Sequence, residues 1–331
     1  MGLFLKGKHI LFISAQFFGY QKEICTAMIN AGAYVDYFDE RPANSAFVKA
    51  AIRINRNILF YYINRYYDNI IQKTKNTKYD YIFFIKCESI SARHVRILRK
   101  MHPQAKLILY HWDSYANNHN ASNVAPYFDK IFSFDKEDCD RFNINFLPLF
   151  YVPDYAKIAR MNMPIKYDML FIGTVHSDRF RIIKNIESII ESYGGNSYTW
   201  FYFPSKLLFY KMWLQDESIR HAQSDKFHYS SIDRRELINI FASSRIVVDI
   251  QHPNQTGLTI RCIETLGAKK KLITTNCDIM KYDFYNPNNI QIIDRNKPYI
   301  SEQFFSSSYI DIPDKIYEEY SLDGWLSHIL S

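Results

Sequence analysis

The sequence predicts an α/β fold with two doubly wound domains facing a cleft. Short runs rich in β-branched and aromatic residues alternate with helix-length periodic stretches along most of the chain, which is the pattern of parallel α/β sheets. Several strand candidates are almost entirely apolar, as expected where helices cover both faces of a sheet. With 331 residues, the chain is long enough for two hydrophobic cores.

In the first half, strands and helices alternate in order. The predicted strands are His9–Ser14, Tyr34–Phe38, Tyr81–Ile85, Leu107–His111, Lys130–Phe134 and Asn145–Leu149. The predicted helices are Tyr20–Asn30, Ser45–Lys75, Ser91–Met101 and Lys136–Phe142. The strand runs are dense in apolar residues, whereas the apolar residues of the helices recur every three or four positions.

The pattern lapses between Tyr151 and Lys166, where Pro153 and Pro164 occur, and then resumes. The second set of strands is Asp168–Ile172, Tyr198–Phe203, Arg245–Ile250, Lys271–Thr275 and Asn289–Ile293. The second set of helices is Arg179–Tyr193, Ser205–Leu214, Arg234–Ala242, Leu258–Gly267 and Lys315–Leu330. The sequence therefore predicts domains over residues 1–152 and 166–312, with a C-terminal helix over 313–331 that could cross back to the first domain.

Composition narrows the class of protein. Hydrophobic residues make up 47% and charged residues 23% of the chain, which is typical of globular proteins and argues against disorder. The five cysteines have no metal-ligand or redox-motif spacing, which favours reduced thiols in a cytosolic protein. No secretory leader opens the sequence, and no run approaches the roughly 18 apolar residues of a membrane span. We therefore expect a cytoplasmic or peripheral protein.

The net charge of +7 is concentrated in one segment. Between Lys49 and Lys106, thirteen basic residues face three acidic ones, which makes this segment +10 and the remainder −3. Within residues 47–75, apolar residues recur at helical spacing beside a basic stripe. The helix residues are Phe47, Ala51, Ile54, Ile58, Tyr62 and Tyr66, with Phe60, Tyr61 and Tyr67 nearby, and the stripe is Lys49, Arg53 and Arg56. Two interpretations stay open: an interfacial helix at the inner face of the plasma membrane, or a solvated charged face.

The segment Gln251–Thr275 carries the most informative motif. An apolar strand ends in a polar loop that contains Gly257, and a helix then begins near Leu258. Ligands of parallel sheets bind at the carboxyl ends of strands, where helix N-termini attract anions. The backbone amides of Thr256, Gly257 and Leu258 could hold a phosphate there. Arg261 and Glu264 lie one turn apart, so they could bind a diphosphate and ribose hydroxyls, or simply pair with each other.

Two further strand ends offer phosphate contacts. Gly173 and Thr174 follow the strand Asp168–Ile172, and a glycine there would allow a tight turn against a phosphate. Arg179 and Arg181 lie in the first turn of the next helix, where a cation opposes the helix dipole unless an anion is bound. Lys206 occupies a similar position after the strand Tyr198–Phe203. Solvated side chains are the alternative interpretation of these residues.

Across these segments the sequence resembles GT-B glycosyltransferases, and in particular their bacterial polysaccharide and CgeB-like branch. The matching residues are Gly257, Arg261, Glu264, Gly267 and Lys271–Thr275, together with Phe171–Thr174, Arg179 and Arg181. The resemblance implies two Rossmann-like domains, a nucleotide-sugar donor held by the C-terminal half, and Glu264 as the ribose ligand. The family's second acidic residue before the helix is absent from Gln251–Gln255, which argues against a retaining two-glutamate site.

The candidate general base lies in the first half. Asp113 follows an apolar strand, and an inverting transfer needs a base to take the proton of the acceptor hydroxyl. Glu88, after the strand Tyr81–Ile85, is the second candidate. A turn or helix-cap role is the alternative for Asp113. His111 and His119 do not have the spacing of a known metal site, so no metal is expected.

Other chemistries are disfavoured. The loop Ser14–Gly19 lacks the dinucleotide fingerprint, and no phosphate-binding P-loop occurs. Asp138 and Asp140 form a D-x-D sequence, but within a helix they point apart. No nucleic-acid motif accompanies the basic segment, so no nucleic acid partner is expected. No cofactor is expected either, since the nucleotide-sugar is the substrate.

The sequence thus predicts a metal-independent glycosyltransferase, with inversion favoured. Its donor is a nucleotide-sugar, and its acceptor is a growing bacterial surface glycan, such as a lipopolysaccharide or capsule, or a lipid-linked precursor. The alternative from another class is a non-catalytic two-domain protein that binds an anionic polymer or membrane surface through its basic helix.

Overall fold

A computed structural model describes residues 5–118, 120–222, 226–253 and 256–331, apart from the side chains of Ala46 and Arg53. The chain divides into two compact units. The first unit comprises Met1–Pro148 and Leu322–Ser331, and the second comprises Leu149–Ser321. The last residues of the chain therefore belong to the unit that contains its beginning.

The first unit is a six-stranded parallel sheet with helices between its strands. Its strands are β1 (His9–Ser14), β2 (Tyr34–Phe38), β3 (Tyr81–Ile85), β4 (Lys106–His111), β5 (Lys130–Ser133) and β6 (Asn145–Phe146). Its helices are α1 (Tyr20–Asn30), α2 (Ala46–Asn55), α3 (Phe60–Thr74), α4 (Ala92–Met101), α5 (Ala121–Val124) and α6 (Lys136–Phe142). The strand order is β2-β1-β3-β4-β5-β6, so the order reverses between β1 and β3.

The second unit has a six-stranded parallel sheet of its own. Its strands are β7 (Tyr167–Thr174), β8 (Ser197–Tyr202), β9 (Phe227–His228), β10 (Ser244–Asp249), β11 (Lys271–Thr274) and β12 (Ile290–Ile292). Its helices are α7 (Pro153–Ile158), α8 (Arg179–Ser192), α9 (Lys206–Gln215), α10 (Glu217–Arg220), α11 (Arg234–Ala242), α12 (Ile260–Gly267), α13 (Glu302–Ser306) and α14 (Asp314–Glu319). The order β12-β11-β10-β7-β8-β9 reverses between β7 and β10, as in dinucleotide-binding domains.

The cores explain why these strands form where they do. Apolar side chains of β1, β3 and β4 are almost fully buried, and so are those of β7 and β10. The last helix, α15 (Leu322–Ile329), places Trp325 in the core of the first unit, with its ring centroid 4.8 Å from that of Tyr110. The predicted doubly wound α/β class is therefore confirmed, and the final helix does return to the first sheet.

Two of the predicted helices are each divided into shorter helices in the structure. The stretch predicted as one helix from Ser45 to Lys75 is broken by a 3₁₀ turn at Arg56–Leu59. Asn55 has an extended backbone there, and its side chain accepts a hydrogen bond from the Asn57 amide at 3.0 Å, which caps a new turn. The prediction of unbroken helical spacing was therefore wrong at this point.

The C-terminal helix is also two helices, α14 and α15, because the chain between them pairs elsewhere. Tyr151 and Ser321 form a parallel β-bridge, and the Tyr151 amide donates to the Tyr320 carbonyl at 2.9 Å.

The helix predicted from Leu258 begins instead at Ile260, after the N-cap residue Thr259. The Thr259 hydroxyl donates to Asp249 Oδ2 at 2.8 Å, which holds the start of α12 against the end of β10.

Candidate functional site

The carboxyl ends of β7 and β10 are joined by a half-buried arginine. Arg179, the first residue of α8, donates from Nε to the Ile250 carbonyl and from Nη1 to the Thr174 carbonyl, both at 2.8 Å. Burial lowers the pKa of Arg179 to about 10, although nearby Asp249 opposes this change. The point at which the strand order reverses, where parallel sheets bind ligands, thus carries a positive charge held by backbone carbonyls.

Gly173 lies inside β7 and not in the loop after it. The strand extends to Thr174, and Gly173 pairs with Phe201 of β8, so the predicted tight turn at Gly173 was wrong. A Cβ at this position would lie 3.3 Å from Nη1 of Arg179 and 3.0 Å from the Phe171 ring. The absence of a side chain therefore makes room for the arginine, and Thr174 contributes its carbonyl oxygen.

The loop between β10 and α12 is held from β11. Asn276 donates from Nδ2 to the carbonyl oxygens of Thr256, at 3.1 Å, and Gly257, at 3.5 Å. Gly257 and Leu258 are buried, and Thr256 is half-buried. Asp249, at the end of β10, accepts from Thr259 and from the Cys262 thiol. The three predicted amide positions thus lie beside the N-terminus of α12.

Arg261 and Glu264 pair with each other one turn inside α12. Arg261 Nη1 lies 2.8 Å from Glu264 Oε2, and their side chains are 20% and 6% exposed. The Arg261 guanidinium also lies 5.5 Å from the centroid of the Phe241 ring. Tyr155 of α7 contacts both members of the pair, and burial with Glu264 nearby raises its pKa well above the usual value. The two predicted ligands therefore pair with each other, with Glu264 buried and Arg261 half-buried.

The structure adds Arg295 to this edge, which the sequence analysis missed. It donates from Nη2 to Asp178 at 2.6 Å, and from Nη1 to the Gln251 carbonyl and Thr275 hydroxyl, both at 3.1 Å. It thereby ties together the segments after β10, β11 and β12 and the start of α8. Arg295 follows β12, so the strand-end rule that selected Gly173 could have found it.

Positive charge accumulates at this edge. Arg295 and Arg261 are close enough to Arg179 to lower its pKa. His176, in the loop after β7, has a pKa lowered to about 4 by burial and then by Arg179, His252 and Arg295. Its ring centroid lies 5.2 Å from that of His252. A histidine whose pKa is lowered by two neighbouring arginines indicates a local field suited to an anion.

Lys206 lies on the other side of β7 from this group. It begins α9, after β8, and its ammonium lies 5.9 Å from the centroid of the Tyr229 ring. The arginines gather between β7 and β12, whereas β8 and β9 occupy the opposite half of the sheet. Lys206 is therefore separated from the other predicted donor ligands.

In the first unit, charged residues cluster where β3 and β4 end. Lys86 and Cys87 have positive φ angles of 85° and 62°, a backbone conformation that non-glycine residues rarely adopt. The buried Lys86 ammonium pairs with Asp113 and lies 3.4 Å from Glu88 Oε1. The buried Arg41 also pairs with Glu88, through Nε at 3.1 Å. Both predicted base candidates therefore meet at one lysine, but Asp113 is 38% exposed and Glu88 only 8%.

Glu40 lies fully buried beside this cluster. Its backbone carbonyl accepts from the Tyr67 hydroxyl at 2.6 Å, and its side chain accepts from the Ser89 amide. Its Oε2 has no hydrogen-bond partner among the described residues. Burial, reinforced by Glu88, raises the pKa of Glu40 to about 7. No pattern in the sequence marks this residue, because it lies in an irregular segment after β2.

The alternative metal ligands have other roles. His111 is buried, its Nε2 lies 3.0 Å from the Tyr115 hydroxyl, and burial lowers its pKa to about 3. His119 lies outside the described residues. Asp138, on α6, accepts from the Tyr115 amide at 2.7 Å, and Asp140 pairs with Lys136. Within the described ranges, no group of three or more histidine, cysteine or acidic side chains could hold a metal ion.

Amide side chains dominate a cavity in the first unit. Its volume is about 200 Å³, and it is lined by Ile52, Ile54, Asn55, Arg56, Glu88, Asn117, Asn118, Asn120 and Asn123. Asn118 donates to the Lys86 carbonyl at 2.7 Å, and Asn120 donates to the carbonyls of Cys87 and Ile90. These two asparagines support the unusual backbone after β3. Asn120 Oδ1 is buried without a partner among the described residues.

The helical segment 46–74 presents an apolar surface. Six large side chains are between 49% and 87% exposed: Phe47, Ile54, Ile58, Phe60, Tyr61 and Tyr62. Ala51 and Tyr67 are instead buried, and Tyr66 donates to the Asp39 carbonyl. Arg56 turns inward, donating to the carbonyls of Ser89 and Ile90. The predicted basic stripe is therefore reduced to Lys49 among the described side chains, since the Arg53 side chain is outside them.

None of the helices in the described parts of the chain has the length and apolar character needed to cross a membrane.

Solved structures share this fold over nearly the whole chain. An alpha-glucosyltransferase in complex with UDP and a mismatch-containing DNA 13-mer is 12% identical, with a TM-score of 0.60 and coverage of 97% of this chain and 94% of that one. The N-terminal domain of Candida albicans trehalose-6-phosphate phosphatase is 11% identical, with a TM-score of 0.62 and coverage of 99% and 98%. Anabaena HepE in complex with UDP and glucose is 10% identical, with a TM-score of 0.55 and coverage of 97% and 98%.

These likenesses define the architecture as that of GT-B glycosyltransferases. No protein-family model matches the sequence, and no curated protein matches it. At 10–12% identity the solved structures show the fold alone. The CgeB-like branch, predicted from the motif at Gly257–Gly267, is not supported by any sequence match.

Proposed function

We propose that this protein is a glycosyltransferase that uses a nucleotide-activated sugar. One observation carries the proposal: Arg179, Arg261 and Arg295 gather at the carboxyl ends of β7 and β10, where the strand order reverses. This is where parallel sheets bind ligands, and the positive charge suits a diphosphate. Two proteins with the same fold have been solved with UDP, which supports this class of donor.

The residues of this edge receive different roles. Arg179 is committed to two backbone carbonyls, so we assign it to positioning and to the electrostatic field. Arg261 and Arg295 are the proposed diphosphate contacts. Glu264 is the proposed ribose ligand, with Tyr155 orienting it. As the sugar leaves, charge builds up on the diphosphate, and fixed arginines stabilise that charge without reorganisation. The proposed reaction therefore needs no metal ion.

Asp113 is the proposed general base for an inverting transfer. It is the more exposed of the two candidates, whereas Glu88 is buried between Arg41 and Lys86. An acceptor hydroxyl can reach the more exposed carboxylate, and a general base must lie within hydrogen-bond reach of the proton that it takes. Lys86 would hold the Asp113 carboxylate in place.

The asparagine-lined cavity is the proposed acceptor site. An asparagine side chain offers one acceptor oxygen and two donor hydrogens, which matches hydroxyl groups that both donate and accept. Five asparagines line the cavity, and Glu88 brings it close to the Lys86–Asp113 pair. We therefore propose a carbohydrate acceptor, either a growing bacterial surface glycan or its lipid-linked precursor, as in the CgeB-like and polysaccharide branch.

A mutation of a residue that lines the cavity tests whether it is the acceptor site. Asn123 is exposed and lines it, so Asn123→Leu should raise the acceptor KM by about tenfold while leaving the donor KM unchanged, since one or two hydrogen bonds are lost. Asn239→Leu, at an exposed position on α11, is the matched control. An unchanged acceptor KM in Asn123→Leu would remove the cavity from the acceptor site.

We propose that the protein binds the inner face of the plasma membrane, because a lipid-linked acceptor would be anchored there. Ile54 and Tyr61 are 81% and 87% exposed, and large exposed apolar patches mark interaction surfaces. The chain is also basic, with a net charge of +7. Ile54→Glu and Tyr61→Glu should abolish sedimentation with anionic vesicles, whereas Tyr299→Glu, at another exposed aromatic residue, should not. Equal sedimentation of all three would exclude this surface.

The donor assignment is tested by nucleotide binding. Thermal shifts with UDP, GDP, ADP, TDP and CMP should show selective stabilisation by one base, because a ligand that binds only the folded state raises its melting temperature. Arg261→Ala and Glu264→Ala should lose that stabilisation together with donor hydrolysis or transfer. Arg234→Ala, which removes an exposed arginine paired with Asp154, is the control. Full activity and affinity in either site variant would refute the assignment.

The same assay separates the enzyme from a non-catalytic scaffold. A scaffold that binds anionic polymers or membranes would show strongly salt-dependent binding and no response to nucleoside diphosphates. The exposed apolar surface on residues 46–74 fits both hypotheses. The arginine-rich edge of the second sheet favours the enzyme.

A further inference from the structure

A second group of basic residues lies at the amino ends of strands β10 and β11 in the second sheet. A cavity of about 250 Å³ opens where β10 and β11 begin, below the strand starts Ser244 and Lys271. Its lining includes Arg245, Lys269, Lys270 and Lys271, as well as serines from the segment that follows α13. The predicted donor site occupies the carboxyl ends of these same strands, so the two sites are at opposite ends of the sheet.

The four basic residues of the lining carry more positive charge than the two neighbouring carboxylates, Asp168 and Asp311, can balance. Arg245 Nη2 lies 3.2 Å from Asp168, and Lys269 Nζ lies 2.6 Å from Asp311. By contrast, Lys270 donates to the Ala242 carbonyl at 2.8 Å, and Lys271 donates to the carbonyl and hydroxyl of Ser307 at 2.9 and 2.7 Å. Two cations are therefore held by neutral groups.

These cations are fixed and partly dehydrated. Lys271 is 1% exposed, and the guanidinium of Arg245 stacks on Phe305 at 4.4 Å from the ring centroid. The Arg245 Nε atom is buried without a hydrogen-bond partner among the described residues. Burial lowers the pKa values of Lys270 and Lys271 to about 8. Charges in such a setting are stabilised by an anion that enters the cavity.

We propose that this cavity binds a small oxyanion: inorganic phosphate or the phosphate group of a small phosphate monoester. Arg245 supplies planar N–H donors, which suit phosphate oxygens, and the lysines supply the charge. The hydroxyl of Ser308, which also lines the cavity, provides a further hydrogen bond. A cavity of about 250 Å³ has room for a phosphate group.

Binding is measured on the full chain with calorimetry and thermal shift at constant ionic strength, with chloride replacing phosphate in the reference. Inorganic phosphate and glycerol 3-phosphate are titrated separately, and tighter binding of one identifies the free ion or the monoester. Arg245→Gln and Lys270→Gln should each weaken binding at least tenfold, since a charge-assisted hydrogen bond is lost. Arg245→Lys should recover part of the affinity. Arg234→Gln, at an exposed arginine of the same unit, should bind like the unchanged protein.

Competition distinguishes this site from the donor site. Phosphate should still bind in the presence of saturating nucleoside diphosphate and in Glu264→Gln, whatever the outcome for glycosyl transfer. Each variant's melting temperature without phosphate shows whether it is folded. The proposal is overturned if phosphate gives no saturable effect over chloride, if both Arg245→Gln and Lys270→Gln bind normally, or if nucleoside diphosphate displaces the phosphate.

Discussion

Replacing Glu40 by glutamine should remove a loss of stability that the first unit suffers as the pH rises from about 4.5 through about 7. The Glu40 side chain is fully buried, and burial followed by the nearby Glu88 raises its pKa to about 7. Ser89 donates its amide to one oxygen of this carboxyl, an interaction that glutamine can keep through its own Oε1. The substitution therefore removes the titration and leaves the size and one hydrogen bond unchanged.

The sign and magnitude follow from linkage. A folded-state pKa above the ordinary value of 4.5 means that the folded protein binds a proton more tightly than the unfolded chain. Its contribution to stability is fully present below about pH 4.5 and is lost as the pH rises through about 7. Because one pKa unit corresponds to about 1.4 kcal/mol, the loss is about 3 kcal/mol. Arg41, Arg56 and Glu88 face the same carboxyl but remain in both proteins.

The assay is urea unfolding followed by tryptophan fluorescence at several pH values. The chain has four tryptophans, and replacing Trp200 and Trp213 by phenylalanine leaves only those of the first unit. The difference in unfolding free energy between Glu40→Gln and its parent should shift by about 3 kcal/mol in favour of the variant between pH 4.5 and 8. A difference that is flat with pH would show that Glu40 is already ionised in the folded state, and the reasoning would fail.

Three other outcomes are expected. Gly267→Ala should destabilise the protein by about 1–3 kcal/mol, because its Cβ would lie 2.4 Å from Cγ of Tyr151; a urea midpoint equal to or above that of the parent would show that the ring yields easily. Asp113→Asn should lower kcat by at least about a hundredfold with unchanged nucleotide affinity in the thermal-shift assay, and retention of full turnover would exclude it as the base. Treatment with EDTA should leave turnover unchanged, whereas activity lost to EDTA and restored by Mg²⁺ or Mn²⁺ would contradict a metal-free reaction.

Strands could be predicted from the sequence because strands that are buried on both faces consist almost entirely of apolar residues. β1, β2 and β3 have the predicted bounds, and β10 differs by one residue at each end. Helix breaks were harder. The apolar spacing continues across Arg56–Leu59, so periodicity alone predicts one helix, whereas the cap formed by Asn55 stops it. The break at Tyr320–Ser321 depends on pairing with Tyr151, a contact with a distant residue that no local pattern encodes.

The candidate site was predictable in its location more than in its contacts. The rule that ligands bind at the carboxyl ends of parallel strands selected Arg179, Arg261 and Glu264, and the structure places Arg179 at the end of β7 and the other two on α12, which follows β10. It could not show that Arg179 holds two carbonyls, because those bonds depend on how β7 and β10 lie side by side. Arg295 was missed although the strand before it was predicted, because its bonds to Asp178, Gln251 and Thr275 join segments that are distant in sequence.

The return of α15 to the first sheet has a consequence for biosynthesis. Trp325 fills the first unit's core beside Tyr110, yet it is translated after the whole of the second unit. On the ribosome, the second unit can complete its sheet and core before Trp325 fills the core of the first unit. The domain that is made first should thus be finished last, and a chain stalled shortly before its end should expose that unfilled core to chaperones and proteases.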